Sequence, residues 1–554
     1  MNPRWRRRSA TILVALIAAM VSVLAPARPA AAYVPITGGG STWSYNAFQA
    51  WIGNVEQNHM HVDYDRSGST VGRQRFRDGT LDWAASDIPY GVKDGNNNDL
   101  PPDRGYVYMP DTAGGTTFMY NLKIGTKRVN NLRLSGENIA KIFTGVITKW
   151  NDPAIKADNP GLNLPGISVI PVVRSDGSGS SAQFTQWMVA TQGSYWTAYC
   201  AKVGKNPCTQ TSAYPVLGGS SMIGQPGDLG VSGYVSQPGA AGSIGYVEYS
   251  YAIQAGFPVA KVLNPAGYYT EPTAGHVAVS LMAAKINNDK NNKALYLTQD
   301  LSAVYTNRDP RTYVLSSYSY MILPTTTADP FNTDKGQTLG DFGKYLLCEG
   351  QSQVDTLGYS PLPLNLVQAG FGQLALVPGA NVPPPTDMRS CNNPTFSTDG
   401  TNTLAKRDAN PPDCDKQGPQ QCTTGTAGTS TAGNGNGNGG GNNNGNNGGS
   451  GNGATTGAST GASGAPTGNA GAAPTCDADT GICSGGSGGG AGGEGAPGQV
   501  DAAAVETSPA LFDGFETALM VVAAVLLLGL CLVPPLAVQL ATNRRARRDG
   551  SRGF

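Results

Sequence analysis

Histidine is almost missing from this chain: His59, His61 and His276 are the only three in 554 residues, and none of the nine cysteines has a partner at CxxC spacing. That combination excludes the usual zinc-ligand sets, and His59 and His61 in alternation read as an exposed face. A serine-hydrolase elbow is missing too. The only G-x-S-x-G matches, Gly457–Gly461 and Gly485–Gly489, fall in low-complexity sequence where no strand-turn-helix can form. An attractive global field for anions is also lacking. Setting aside Arg4, Arg6, Arg7, Arg8 and Arg28 near the start and five arginines and Asp549 at the end leaves 28 basic against 37 acidic residues. Nucleic acid is therefore not an expected partner, and any anion bound here must be held by local hydrogen bonds and dipoles.

Such a local site is present. Arg174, Ser175, Asp176, Gly177, Ser178, Gly179 and Ser180 run straight into a helical pattern through Phe184, Trp187 and Met188. A strand end that turns through small residues into a helix brings backbone N–H groups, hydroxyls and a guanidinium to one place, which suits an oxyanion. Read alone, the same residues also make an ordinary Ser/Gly turn with a surface Arg–Asp pair. Two further turns of the kind tilt the balance. Gly38–Thr42 precedes a helix with Phe48, Trp51, Ile52 and Val55 on one face, and Ser67, Gly68, Ser69 and Thr70 form the other. Between them and Arg174 the strand-like run Leu81–Pro89 delivers the carboxylate of Asp87.

Two more blocks, Glu137–Gly145 with Lys149, Trp150 and Asn151, and Gly242–Tyr249, complete an ordered set of five motifs. In this order they resemble the phosphate-binding protein of bacterial ABC phosphate transporters, over roughly residues 33–392. The resemblance implies phosphate contacts from Thr42, the Trp43 backbone, Ser69, Asp87, Arg174, Ser178, Gly179 and Ser180, with Asp176 holding Arg174. It implies no metal, no cofactor and no catalytic residue. Trp43 stands where Phe is usual, Ser180 where Thr is usual, and Arg66 where the family has a small residue. Asp87 has a chemical reason to be there. A carboxylate beside a dianion is tolerable only if a proton lies between them, as with mono- or dihydrogen phosphate, so Asp87 would discriminate against sulfate. The plain alternative is a helix N-cap before Ile88 and Pro89.

The rest of the chain reads as address and anchor. Residues 1–32, with four early arginines, an apolar run from Ala10 to Leu24 and Ala30–Ala32, form a secretory leader expected to be cleaved near Ala32. No cysteine follows the apolar run, so no N-terminal lipid anchor is available. Residues 393–510 are rich in Gly, Asn, Ser and Thr, a composition that cannot offset its ordering entropy, and are expected to be a disordered tether. Residues 511–541 include an uncharged stretch long enough to span a bilayer, and the five arginines in 542–554 place the tail in the cytoplasm. For an exported chain the cysteines read as disulfides. Proximity suggests Cys200–Cys208, Cys414–Cys422 and Cys476–Cys483, which leaves Cys348 with Cys391, while Cys531 stays free in the span.

Strand-like runs (Ile167–Val173, Gly245–Val247, Tyr318–Leu323) alternate with helical patterns (Asn138–Phe143, Leu339–Leu347), an α/β signature. The resemblance implies a two-lobe periplasmic-binding-protein fold of type II with a cleft, lobe I from 33–110 and 315–392 and lobe II from 111–314. The function expected is a membrane-anchored extracellular receptor that captures inorganic phosphate for ABC permease subunits. The alternative is a surface sensor or adhesin for phosphate or another oxyanion on the same fold.

Overall fold

The computed structural model describes residues 33–429, except 92, 95–96, 293–294, 383–390, 392 and 398, together with 475–476 and 483–484. The leader, the candidate span and the cytoplasmic tail lie outside the described residues. Among those described, no helix is long and apolar enough to cross a membrane.

The chain begins with β1 (Ile36–Gly40), α1 (Tyr45–Glu56), β2 (Val62–Asp65), α2 (Ser69–Arg77) and β3 (Trp83–Ser86). The long strand β4 (Tyr106–Tyr120) follows, then α3 (Gly136–Phe143), β5 (Ile170–Arg174), α4 (Gly179–Thr191), β6 (Ile223–Gln225) and α5 (Gly227–Val235). After β7 (Ser243–Glu248), α6 (Tyr249–Ala255) and α7 (Ala274–Leu281) come β8 (Ser316–Pro324), α8 (Thr333–Leu347), α9 (Leu364–Leu374) and α10 (Thr403–Arg407). One eight-stranded sheet runs in the order β6-β5-β7-β4-β8-β3-β1-β2. Its two flanks are parallel, β1 with β2 and β3, β5 with β6 and β7. Antiparallel β4 and β8 join them.

β4 is the spine of both halves. Its first part, Tyr106–Gly115, pairs with β8, and its end, Thr116–Tyr120, pairs with β7. The buried apolar residues accordingly form two large cores. One gathers Phe48, Trp51, Trp83, Met109, Phe342 and Phe371, and the other Phe118, Ile142, Phe143, Phe184, Trp187 and Tyr246. On α1 the expected face is the buried one, with Phe48, Trp51 and Val55 inside. Burying side chains of this size stabilises by about 1.5–3 kcal/mol each.

Gly38–Gly40 is a strand rather than the turn that its composition suggests. The glycines are needed there for close approach, since a Cβ on Gly38 would lie 2.1 Å from the Trp83 ring, and one on Gly40, whose φ is +129°, 2.2 Å from the Ala85 carbonyl oxygen. The turn proper is Ser41–Ser44.

The expected start of the tether at residue 393 is corrected. Residues 393–429, where described, pack on the globular part, and polar bonds supply what apolar burial does not. The Asn393 amide donates to the Leu362 carbonyl at 2.9 Å, Lys261 pairs with Asp415 at 2.6 Å, and Thr426 Oγ1 donates to the Val259 carbonyl at 2.7 Å. Arg133, which lies outside the sequence motifs, is buried beneath this strap and donates Nη1 to the carbonyls of Cys414 and Gln420 at 3.0 and 2.9 Å. The disulfides Cys200–Cys208, Cys348–Cys391 and Cys414–Cys422 are formed as expected. Cys476 and Cys483 are register partners in a two-residue antiparallel ladder, and Cys531 lies outside the described residues.

Candidate functional site

The three small-residue turns follow the C-terminal ends of β1, β2 and β5, where the parallel flanks of the sheet feed helix starts, and Asp87 follows the end of β3. From the first core come the Ser41–Ser44 turn, the start of α2 and Asp87. The second contributes Arg174, Asp176 and the start of α4. Each of Thr42, Trp43, Ser69, Asp87, Arg174, Ser178 and Ser180 is at least 95 % buried.

Tyrosines that the sequence reading did not single out hold the first turn. The hydroxyls of Tyr64, Tyr251 and Tyr359 donate to the carbonyls of Ser41, Thr42 and Trp43 at 2.8, 2.5 and 2.6 Å. Three successive carbonyls are thereby fixed on tyrosine donors at the entry to α1, while the Trp43 and Ser44 N–H groups converge on Ser41 Oγ at 3.1 and 3.3 Å.

Asp87 sits between the two halves. Its Oδ1 accepts from Ser41 Oγ at 2.6 Å and its Oδ2 from Ser69 Oγ at 3.1 Å. Gly179 presses against it from the opposite side, so closely that a Cβ there would be 2.3 Å from Asp87 Oδ2. Burial dominates its titration and pushes the carboxyl up to about 6; Asp228 adds to the rise, and the serine hydroxyls and Arg174 only partly offset it. At neutral pH it thus exchanges its proton easily. Although Ile88 follows, Asp87 caps no described helix: the cap reading fails because β3 ends at Ser86 and no helix begins here.

Arg174 is 1 % exposed and paired with two carboxylates. Nε donates to Asp176 Oδ1 at 2.7 Å, Nη2 to Asp176 Oδ2, and Nη1 to Asp228 Oδ2 at 2.5 Å. Asp176 thus holds the guanidinium in a fork, and although burial opposes its charge, Arg174 keeps its carboxyl below the usual carboxylate range. A guanidinium has five N–H donors, so one remains on each Nη for an anion.

α4 supplies the rest. Ser178 is its N-cap and accepts from the Ser181 N–H at 3.2 Å, while its own N–H donates to Ser212. Gly179 and Ser180 open the helix, where N–H groups lack intrahelical acceptors and the macrodipole favours negative charge. The Ser180 hydroxyl is buried without a protein partner. A buried orphan hydroxyl at a helix start, in a site whose guanidinium has two spare donors, is the chemistry of an anion cradle. The hydroxyl protons of two expected residues are held by carboxylates, that of Thr42 by Asp228 Oδ2 at 2.5 Å and that of Ser69 by Asp87. Arg66 lies over the Tyr45 ring at 5.0 Å and, with Ser67, Asp176, Gly227 and Tyr251, lines a cavity of about 460 Å³ beside Thr42. Among the described residues no cluster of His, Cys, Asp and Glu is arranged to hold a metal ion.

The family model described as "PBP superfamily domain" matches residues 25–349. The phosphate-binding protein PstS of Xylella fastidiosa (strain Temecula1) is 32% identical over 337 residues, 60% of this chain and 83% of that protein. PstS of Pasteurella multocida (strain Pm70) is 32% identical over 335 residues, 60% of this chain and 88% of that protein. Among solved structures, the periplasmic phosphate-binding protein PfluDING bound with phosphate aligns with a TM-score of 0.47 and 18% identity, over 63% of this chain and 100% of that one. The family model spans more than half of the chain and the two PstS proteins are 32% identical to it over more than four fifths of their own length, so the chain belongs to the PstS phosphate-binding proteins of the PBP superfamily.

Proposed function

We infer that the protein captures inorganic phosphate outside the cytoplasmic membrane and hands it to an ABC-type importer. The observation that carries this reading is one buried cradle in which Arg174 keeps two free donors, the Ser180 hydroxyl lacks a partner, a helix start faces inward and Asp87 stands by as a proton acceptor. A tetrahedral anion takes its hydrogen bonds from Arg174, the Ser178–Ser180 turn, the Trp43 backbone and the hydroxyls of Thr42 and Ser69, which turn from their carboxylates to the ligand. Asp87 accepts the ligand's own proton, and Asp176 keeps Arg174 in place. No bond to phosphate is made or broken, so the family role is binding rather than catalysis.

The two cores act as the two lobes, and a ligand that contacts both favours the closed arrangement, since only differential affinity shifts a hinge. Residues 511–541 anchor the protein, and the chain between 430 and 510 tethers the domain to that anchor. The test is uptake of radiolabelled phosphate by cells that carry the cognate permease but lack this chain. Restoration by the wild type and not by Arg174→Ala is expected; phosphate binding without restored uptake would favour the sensor reading.

A further inference from the structure

Asp228, the second residue of α5, is fully buried and belongs to none of the motifs that announce the cradle. Yet it is the group that joins the cradle's two halves. Its Oδ2 accepts from Thr42 Oγ1 and from Arg174 Nη1, both at 2.5 Å, and its Oδ1 accepts from the Glu248 N–H at 2.9 Å. The Asp228 N–H returns a bond to Thr42 Oγ1 at 3.3 Å. Thr42 belongs to the turn after β1 and Arg174 to β5, so one carboxylate oxygen spans the cleft.

A donor count shows what this does to a ligand. The single proton of Thr42 goes to Asp228, and those of Ser41 and Ser69 go to Asp87. The cradle therefore presents two carboxylates that already draw on its hydroxyls. Its one guanidinium faces three acidic groups, Asp87, Asp176 and Asp228. The other titratable groups around Asp228 are Glu248, Tyr251 and Tyr359, all pushed far up by burial. Asp111, buried near Asp87, is pushed up in the same way, and Arg66 faces Tyr251 from the cavity side. A dianion entering such a site meets more negative charge than positive. An anion that carries protons can instead give one to each carboxylate and leave the hydroxyls free to donate.

We propose that Asp228 is a second specificity-determining carboxylate of this site, which acts with Asp87 to admit dihydrogen phosphate ahead of monohydrogen phosphate and to turn away sulfate. The proposal rests on phosphate being the ligand.

The test is titration of the full chain with inorganic phosphate and with sulfate at about pH 6 and pH 8.5, in wild type, D87N, D228N and D87N/D228N. D87N removes the Asp87 carboxyl, so discrimination among anions that remains in it comes from Asp228 and the ligand's own protons. Affinity of D87N for total phosphate should still fall about tenfold or more across that range, and the double variant should hold it within about threefold. Sulfate should bind the double variant at least about tenfold tighter than D87N. A flat profile in D87N overturns the proposal, as does a double variant that keeps the D87N profile and its sulfate rejection. If D228N prevents folding, seen as loss of the cooperative melt, the D87N profile and its sulfate rejection decide alone. Failure of the wild type to bind phosphate at either pH would overturn the proposed function instead.

Discussion

Asp87→Asn should change how the ligand-free protein's stability responds to pH. The Asp87 carboxyl is 3 % exposed and burial lifts it from the ordinary 3.8 to about 6, so folding favours the protonated form. A folded-state value above the unfolded one means that its contribution is complete below about pH 4 and is lost as pH rises through 6. A displacement of about two units corresponds to about 3 kcal/mol. Asn cannot titrate and escapes this loss while keeping the shape between Ser41 and Ser69. The stability difference between D87N and wild type should therefore move in favour of D87N by about 2 kcal/mol from pH 4 to pH 7. Asp111 and Glu248 are present in both proteins; only the part of the Asp111 rise that the Asp87 charge causes is relieved in D87N. Chemical denaturation in phosphate-free buffer at pH 4, 5, 6 and 7 measures it. Parallel profiles for the two proteins would show that Asp87 is not a buried proton-exchanging acid and would refute the reasoning.

Arg174→Ala strips the cation from Asp176 and Asp228 and should cost phosphate affinity at least about a hundredfold, about 3 kcal/mol, read by titration with the melting curve as the check on folding. Gly179→Ala places a Cβ 2.3 Å from Asp87 Oδ2 and 2.7 Å from Ser69 Oγ, wedging the start of α4 off the acid. It should weaken phosphate binding by about tenfold or more, whereas Gly193→Ala, whose Cβ meets nothing within 4 Å, should leave the titration unchanged. Arg133→Ala should leave phosphate affinity unaltered but lower stability by about 3 kcal/mol in denaturant unfolding, because the strap carbonyls of Cys414 and Gln420 lose a charged donor.

The parts of the site that were legible in sequence are those where chemistry is local. A run such as Arg174–Ser180 must place hydroxyls and N–H groups at a helix start whatever packs around it, and Asp87 follows a short apolar strand that ends at the same edge. What could not be read depends on long-range closure. Asp228 sits in a Pro-Gly-Asp turn like many others, and its meaning comes from Thr42, 186 residues away. Gly227 at a helix start was the available signal, but nothing local says that the carboxylate faces Arg174. The tyrosine donors to the first turn, Tyr64, Tyr251 and Tyr359, belong to three separate segments. Residues 393–429 misled for the opposite reason: their composition promises no core, and they are held by carbonyl bonds to Arg133, the Lys261–Asp415 pair and a disulfide, none of which apolar content reports. The Pro110 and Gly114–Gly115 positions look like breaks, yet β4 runs through them because Pro110 and Gly115 fall in register with Tyr320 and Ser316 of β8.

The most direct test of the account is calorimetric titration of the full chain with inorganic phosphate in the presence of a metal chelator. The account predicts binding at one site per chain with a heat that the chelator does not change, and a melting temperature that rises with phosphate as RT ln(1 + [L]/Kd) requires. Absence of both heat and thermal shift at millimolar phosphate would contradict it.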